Sequence, residues 1–412
     1  LSAERRTSRW RALRGNVWRL GLVSLWTDFS SEMMNPLLPV FVAGLVPLGW
    51  AAFWVGLTEG AAEATASLLK AYAGGLSDRL GRRKGLALWG YGLSSLLRPL
   101  TGLAGAAWQV LALKVGDRVG KGLRTAPRDA LLGASADPAH RGLAFGFHRA
   151  MDHTGAVLGP LAALGLLALL LPATPNPGQE LSALRLLFLL AVVPGALSLL
   201  TLGWGVREIP PPPRAAGPAR SFRGLPGRLW AFVGIAALFA LGNSSDLFLL
   251  LYAREAFGLS LAGMVGLWIL LHLSKAASGV VFGALSDRVG RRPLILAGWL
   301  LYAGVYLAMA WAASLVQLAV LLGIYGLYYG LTEGAEKALV LDLAGQERSG
   351  SAFGLYHGAV GLSALPASLL FGVFWIELGP RWAFGVGAGL AGLAALLLGL
   401  FLAVGTRPGP SS

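Results

Sequence analysis

The chain has 412 residues, 55% of them hydrophobic and only 13% charged, with a mean hydropathy of +0.64. Such a composition excludes a water-soluble globular domain and points to an integral membrane protein. The formal charge of +14 would suit a nucleic-acid partner, but most of the basic residues sit at the termini and in turns on one side of the apolar runs, and the lack of cysteine rules out disulfides, thiolate metal sites and thiol catalysis.

The N-terminal segment, residues 1–17, carries Arg5, Arg6, Arg9, Arg11 and Arg14 and is followed by Arg19. It is expected to rest on anionic lipid as an orientation signal, with no nucleic-acid partner. The first apolar run is long, contains acids and lacks a small-residue cleavage site, so no cleavable signal peptide is read. A membrane helix needs about 20 apolar residues. Windows of that length recur near 18–45, 51–77, 85–106, 108–132, 142–171, 183–205, 228–253, 260–285, 293–313, 316–340, 350–376 and 382–405. The short alternating strands of a β-barrel are absent.

Basic residues gather in the N-terminal segment, the even-numbered loops and the C-terminus; the other loops carry only Arg185, Arg254 and Arg381. The positive-inside rule therefore places both termini in the cytoplasm, and the expected location is a bacterial inner membrane. The Pro- and Arg-rich stretch 206–228 cannot bury a core and is expected to be a cytoplasmic linker. It separates a six-helix bundle at 18–205 from a second at 229–405, and a short cytoplasmic tail follows at 406–412.

The halves echo each other. GGLSDRLGRR at 74–83 recurs as GALSDRVGRR at 283–292, an offset of 209. At an offset of 208, Arg128-Asp129-Ala130-Leu131 aligns with Glu336-Lys337-Ala338-Leu339, its charges swapped, and Ala144-Phe145-Gly146 with Ala352-Phe353-Gly354. A fold written twice, with inward-facing charges, is the plan of a transporter.

The doubled G-x-L-S-D-R-x-G-R-R turn on a six-plus-six helix plan resembles the major facilitator superfamily over nearly the whole chain. The resemblance implies an all-α membrane fold of twelve helices, in two pseudo-symmetric bundles around a central cavity, working by alternating access as a monomer. It also implies a latch between the halves: Asp78 and Arg79 with Gly74, Gly81, Arg82 and Arg83 in the first turn, and Gly283, Asp287 and Arg288 in the second. Arg82, Arg83, Arg291 and Arg292 could equally serve only to set topology. Arg118-Val119-Gly120-Lys121-Gly122-Leu123-Arg124-Thr125-Ala126 resembles the superfamily's R-x-x-Q-G-x-G-A-A motif, with Lys121 and Arg124 as departures. Gly155, Gly159 and Pro160 resemble its G-x-x-x-G-P motif, a feature of antiporter branches; ordinary tight helix packing is the other reading.

Basic residues within or at the ends of the spans are Lys70, Arg98, Lys114, Arg118, Lys121, Arg124, Arg128, Arg149, Lys275 and Lys337. A lipid-facing placement costs about 2.5–3.5 kcal/mol each at the bilayer centre, so they must face a wet cavity or acid partners. Acids are available in Asp28, Glu32, Glu59, Glu63, Asp117, Asp129, Asp152, Asp246, Glu333 and Glu336. Helical spacing puts Asp28 and Glu32 on one face with Ser31 and Asn35, and Lys114, Arg118, Lys121 and Thr125 on another. The expected proton-coupling set is Asp28, Glu32 and Arg118, since a carboxylate deep in the membrane needs a nearby cation if its proton is to be exchangeable. A permanent Glu32–Arg118 pair that only ties spans 1 and 4 together is the alternative. The expected substrate cavity adds Asn35, Glu59, Glu63, Lys121, Arg149, Asp152, Asp246, Glu333 and Glu336. Asp246 is nominated by the matching Ser30-Ser31-Glu32 and Ser244-Ser245-Asp246 triplets.

His153, His272 and His357 stand singly, and lone helical histidines are more often packed than ligating. No metal site or cofactor is assigned, although Asp28, Glu32, Asp246 and a histidine could serve a divalent-metal exporter. Trp26, Phe29, Trp268, Tyr325, Tyr328 and Tyr329 lie deep enough to line a pocket. Neither a nucleotide-binding motif nor a nucleophile–base constellation is present, so neither ATP-driven transport nor an enzyme is expected. The sequence thus predicts a proton-coupled exporter of a small organic molecule or drug. The alternatives are a carrier of an anionic metabolite, a divalent-metal exporter and a non-transporting sensor.

Overall fold

A computed structural model describes residues 13–47, 51–172, 175–209, 222–244, 246–259 and 261–404, and all regular structure in them is helical. The arginine-rich arm 1–12, most of the linker (210–221), Ser245 and the tail 405–412 lie outside the described residues.

The first half comprises α1 (Asn16–Glu32), α2 (Leu38–Ala43), α3 (Ala51–Leu80), α4 (Arg83–Leu100), α5 (Ala107–Ser135), α6 (Arg141–Leu170), α7 (Pro177–Leu190) and α8 (Val192–Leu200). The second comprises α9 (Gly227–Gly242), α10 (Leu247–Phe257), α11 (Leu261–Val289), α12 (Arg291–Met309), α13 (Leu315–Ala344), α14 (Ser349–Leu378) and α15 (Pro380–Val404). The first expected span is α1 plus α2, interrupted where Pro36 and Pro39 remove backbone donors. The sixth is α7 plus α8. It starts at Pro177, earlier than the sequence suggests, because Asn176 and Gln179 form a reciprocal capping box there. The seventh is broken between α9 and α10, beside Asp246.

Among the described residues, seven helical runs are long and apolar enough to cross a membrane. Helices α3, α4 and α5 are not in that set. Their charged residues lower their hydropathy, and most of those side chains turn inward.

The repeated segment also differs from its sequence reading as a turn. Helices α3 and α11 continue to Leu80 and Val289, and only then do Gly81 (φ 63°) and Gly290 (φ 102°) reverse the chain. Asp78 and Asp287 therefore stand on the last helical turns and project into the opposite half.

Within the first half α1 packs on α6 and α8, and α5 lies between α3 and α4; within the second, α13 packs on α11 and α12, and α15 on α9, α12 and α14. The halves meet along α6 with α11 and α3 with α14, supplemented by α6 with α13 and α5 with α14. These contacts are backbone-close. A Cβ on Gly146 would fall on the Gly279 carbonyl oxygen and 2.9 Å from Gly283 Cα. The molecule is thus shut at the end that carries the repeated turns.

Candidate functional site: a charged cavity above a double latch

The shut end is held by reciprocal caps. Asp78 accepts hydrogen bonds from the Gly350 amide (3.1 Å), the Ser351 amide (2.6 Å) and the Ser351 hydroxyl (2.8 Å), at the start of α14 in the other half. Asp287 accepts from the amides of Gly142 and Leu143, both at 2.8 Å, at the start of α6. Each half thereby supplies a carboxylate to a helix N-terminus of the other, where free N–H groups and the helix dipole favour an anion.

The guanidiniums at these junctions belong to Arg83 and Arg291. Arg83 is fully buried, 3.6 Å from Asp78, and donates to Ser349 Oγ (2.8 Å) and the Gln346 carbonyl (3.1 Å). Arg291 lies 3.1 Å from both Asp287 and Asp342. Arg79, Arg82 and Arg288 are exposed, which corrects the expectation that Arg79 works beside Asp78. Glu208, at the beginning of the linker, accepts from the backbone amides of Arg83 and Lys84 and so caps α4.

Above the latch, between the halves, lies a cavity of about 440 Å3. Of the residues anticipated from sequence, Asp28, Glu32, Asn35, Arg118, Lys121, Arg149, Asp152 and Glu333 line it. Glycines of α6 fix the acidic wall: a Cβ on Gly155 would meet Phe29 N at 2.9 Å, and one on Gly159 would meet Met33 N at 2.8 Å. Helix α1 can approach α6 this closely only without side chains there. Asp152 accepts from Ser24 and Arg149, and Arg149 also reaches across the halves to grip both oxygens of Glu333, with His153 Nε2 3.0 Å from the same carboxylate. This bidentate bridge joins α6 to α13.

Four anticipated residues lie elsewhere. Glu59 and Glu63 are half-exposed on α3, paired with Lys114 (3.2 Å) and Lys70 (3.5 Å). Asp246 is held inside the second bundle by Lys275 (2.8 Å), Tyr325 (2.7 Å) and Tyr329 (3.0 Å). Glu336 is buried there too, accepting from Trp299 Nε1 at 2.8 Å and from Tyr356. Glu32 accepts from Asn35 Nδ2 at 2.9 Å and makes no pair with Arg118. Among the described residues, no group of three or more His, Asp or Glu is placed to hold a metal ion. The ligand set imagined for a metal exporter does not converge among the described residues: Asp246 is taken up by Lys275, Tyr325 and Tyr329 and does not itself line the cavity.

The cavity also gathers Lys70, Arg98, Arg124, Arg128, His153, His272, Lys275, Tyr329, Lys337, Tyr356 and His357. The arginines and lysines among them were visible as charges within spans, but their convergence was not. Arg124 and Arg128 both reach the cavity.

Most of these cations are neutralised. Arg98 donates to Asp117 (2.9 Å) and the Thr27 carbonyl (3.0 Å), and Arg128 pairs with Asp129 (2.9 Å). The exceptions share one face of α5. Arg118 is 3.8 Å from Asp117, with its Nε unpartnered among the described residues. Lys121 has no ion pair within 4 Å among the described residues. Arg124 lies over the Tyr91 ring at 4.3 Å, with one Nη unpartnered among the described residues. Spaced three residues apart, they rise one above another along about 9 Å of helix. They form a cationic strip open to the cavity.

Two helical bundles closed at one end around a polar cavity define a secondary transporter. The chain belongs to the Major Facilitator Superfamily, whose model matches residues 20–274 and 261–412. It is 35% identical over 394 residues to an uncharacterised MFS-type transporter of Methanocaldococcus jannaschii, covering 94% of this chain and 95% of that one. A multidrug resistance protein, MdtH of Aeromonas hydrophila, is 32% identical over 136 residues, 33% of this chain and 34% of that one. Among solved structures, the human organic anion transporter MFSD10 matches with a TM-score of 0.79 at 17% identity, covering 93% of this chain and 98% of that one.

Proposed function

We propose that this chain is a proton-coupled carrier of small organic anions, working as a monomer by alternating access, with its latch end and both termini in the cytoplasm. The observation that carries this reading is the strip of Arg118, Lys121 and Arg124, cations presented to the cavity without full carboxylate partners. Removing a cation from water is costly unless a counter-charge is supplied. A solute carboxylate, sulfonate or phosphate supplies it. The likeness in fold to a protein described as an organic anion transporter agrees with this choice.

The coupling follows from the acids opposite. Asp28 and Glu32 share the cavity with the strip, so an anion docking on α5 adds negative charge beside them and favours their protonation. Proton and anion then bind together and travel in the same direction, which an inward proton gradient would make uptake. Arg118 sets how strongly the two are linked.

A second reading, export of a drug in exchange for protons, is favoured by the Gly155, Gly159 and Pro160 motif and by the partial match to a multidrug resistance protein. A cationic solute would compete with the proton for Asp28 or Glu32 and reverse the sign of the coupling. Lumenal pH in proteoliposomes, recorded without an imposed gradient while organic anions and lipophilic cations are added outside, separates the two. Anion-dependent acidification that is lost in Lys121→Gln is the expected result. Cation-dependent alkalinisation, with no response to any anion, would overturn the anion reading in favour of exchange.

A further inference from the structure

The charge-swapped echo of Arg128-Asp129 and Glu336-Lys337 belongs neither to the latch nor to the cationic strip, yet the fold brings its two copies into contact. Lys337 Nζ of α13 lies 3.1 Å from Asp129 Oδ2 of α5. The same offset of 208 relates Phe145 to Phe353, whose rings are 5.8 Å apart. It also relates Gly133 to Leu341, where a Cβ on the glycine would sit 2.5 Å from Leu341 Cδ2. Residues that touch their own repeat counterparts mark the pseudo-twofold axis between the halves.

Position on that axis explains the swap. Whatever stands on a twofold axis must be complementary to its own copy. Two rings can pack, and a glycine can admit a leucine, but two like charges buried in contact repel. A duplicated Asp or a duplicated Lys would force the halves apart at their centre. Asp against Lys draws them together.

The neighbours support a role in closure. Asp129 is fully buried, and His357 Nε2 of α14 lies 2.7 Å from it, so both cross-half partners converge on one carboxylate. The counterpart of His357 at the same offset is Arg149, which makes the converse crossing to Glu333. Lys337, His357 and Arg128 line the cavity, whereas Asp129 lies behind them. Towards the latch, the carbonyl of the next residue, Ala130, accepts from Arg83 at 3.4 Å.

We infer that Asp129 and Lys337 form an on-axis gate between the cavity and the latch, an ion pair that must part each time the cavity opens to the latch side. The gate goes beyond the anion reading and is independent of which solute is carried. Asp129 and Lys337 act as positioning residues for alternating access.

The absence of cysteine makes the test direct. Leu80 and Val289, both 55% exposed at the latch ends of opposite halves, are replaced by cysteine and spin-labelled, and their separation is measured in nanodiscs. Asp129→Asn and Lys337→Met are each expected to raise the open-to-closed ratio about fivefold or more. The double variant should raise it by less than the product of the two, as for residues in contact. Effects that multiply, or ratios within twofold of the parent, would overturn the proposal. If Asp129→Asn does not fold, Lys337→Met decides alone, because it leaves Asp129 paired with Arg128 and His357. Lys337→Arg, which keeps the charge, should remain closed. A residue with a merely structural role would lower thermal stability without moving the ratio.

Discussion

Gly74→Ala tests whether closure depends on backbone-to-backbone contact between α3 and α14. A Cβ on Gly74 would fall on the Gly350 carbonyl oxygen and lie 2.8 Å from Gly354 Cα and 2.9 Å from Gly354 N. These are backbone atoms of the opposite half and cannot rotate away. Overpacking of this kind costs about 1–3 kcal/mol. Since about 1.4 kcal/mol is a factor of ten, the closed-to-open ratio should fall about 5- to 150-fold. Gly75→Ala is the control, because its Cβ would meet only Ser351 Oγ at 4.0 Å. Both substitutions gain about the same helix propensity, so that effect cancels in the comparison. Ser77 is fully buried at the junction and becomes the reporter as Ser77→Cys, alkylated by a maleimide supplied from the latch side. When reclosing outpaces labelling, the alkylation rate follows the open population. The rate should rise at least fivefold with Gly74→Ala and less than twofold with Gly75→Ala. Equal rates in the two backgrounds would refute the contact as the determinant of closure.

Two further outcomes follow from the cavity wall. Arg98→Gln leaves Asp117 buried without its closest partner and should destabilise the protein by about 3–5 kcal/mol, read as a fall in the thermal midpoint in detergent; Arg98→Gln with Asp117→Asn should recover most of it, and no recovery would mean that the charge is not the cause. Asp28→Asn or Glu32→Gln should abolish gradient-driven accumulation while preserving solute counterflow without a gradient. Full accumulation in both variants would remove these acids from coupling.

The helices and the inward charges were legible because hydropathy and helical spacing are local. Asp78 and Asp287 were legible through the resemblance of the doubled turn to the superfamily's loop signature, not through spacing or hydropathy. Which guanidinium meets Asp78 was not legible. Arg79 is one residue on and therefore about 100° around α3, facing out, while Arg83 reaches the junction from the next helix. The same limit misplaced Asp246 and Glu336. Their partners Tyr325, Tyr329, Trp299 and Tyr356 come from other helices or distant turns, and the rotation of one helix against another is not written in either. The unpaired state of Lys121 was hidden for the same reason: several acids lay within plausible reach in sequence, and only the packing shows that none comes within 4 Å among the described residues.

The two halves close alike but offer a solute different chemistry. At the repeat offset of 208, the strip of Arg118, Lys121 and Arg124 on α5 corresponds to Gly326, Tyr329 and Thr332 on α13. Lys121 and Tyr329 both line the cavity. Tyr329 lies 3.6 Å beneath the Lys275 ammonium, and its hydroxyl donates to Asp246, so these two charges are met within the second half, whereas Glu333 and Lys337 pair across the halves with Arg149 and Asp129. Where the first half carries Lys121, the second presents the aromatic, hydrogen-bonding Tyr329. A solute held by both walls would put its anionic end on the first half and an uncharged or aromatic end on the second. Rocking of the halves need not transfer the charge from one wall to the other. On the anion reading proposed above, the anion would stay on α5 throughout, and the second half would only have to release the uncharged end, a smaller barrier than separating an ion pair in a low-dielectric site.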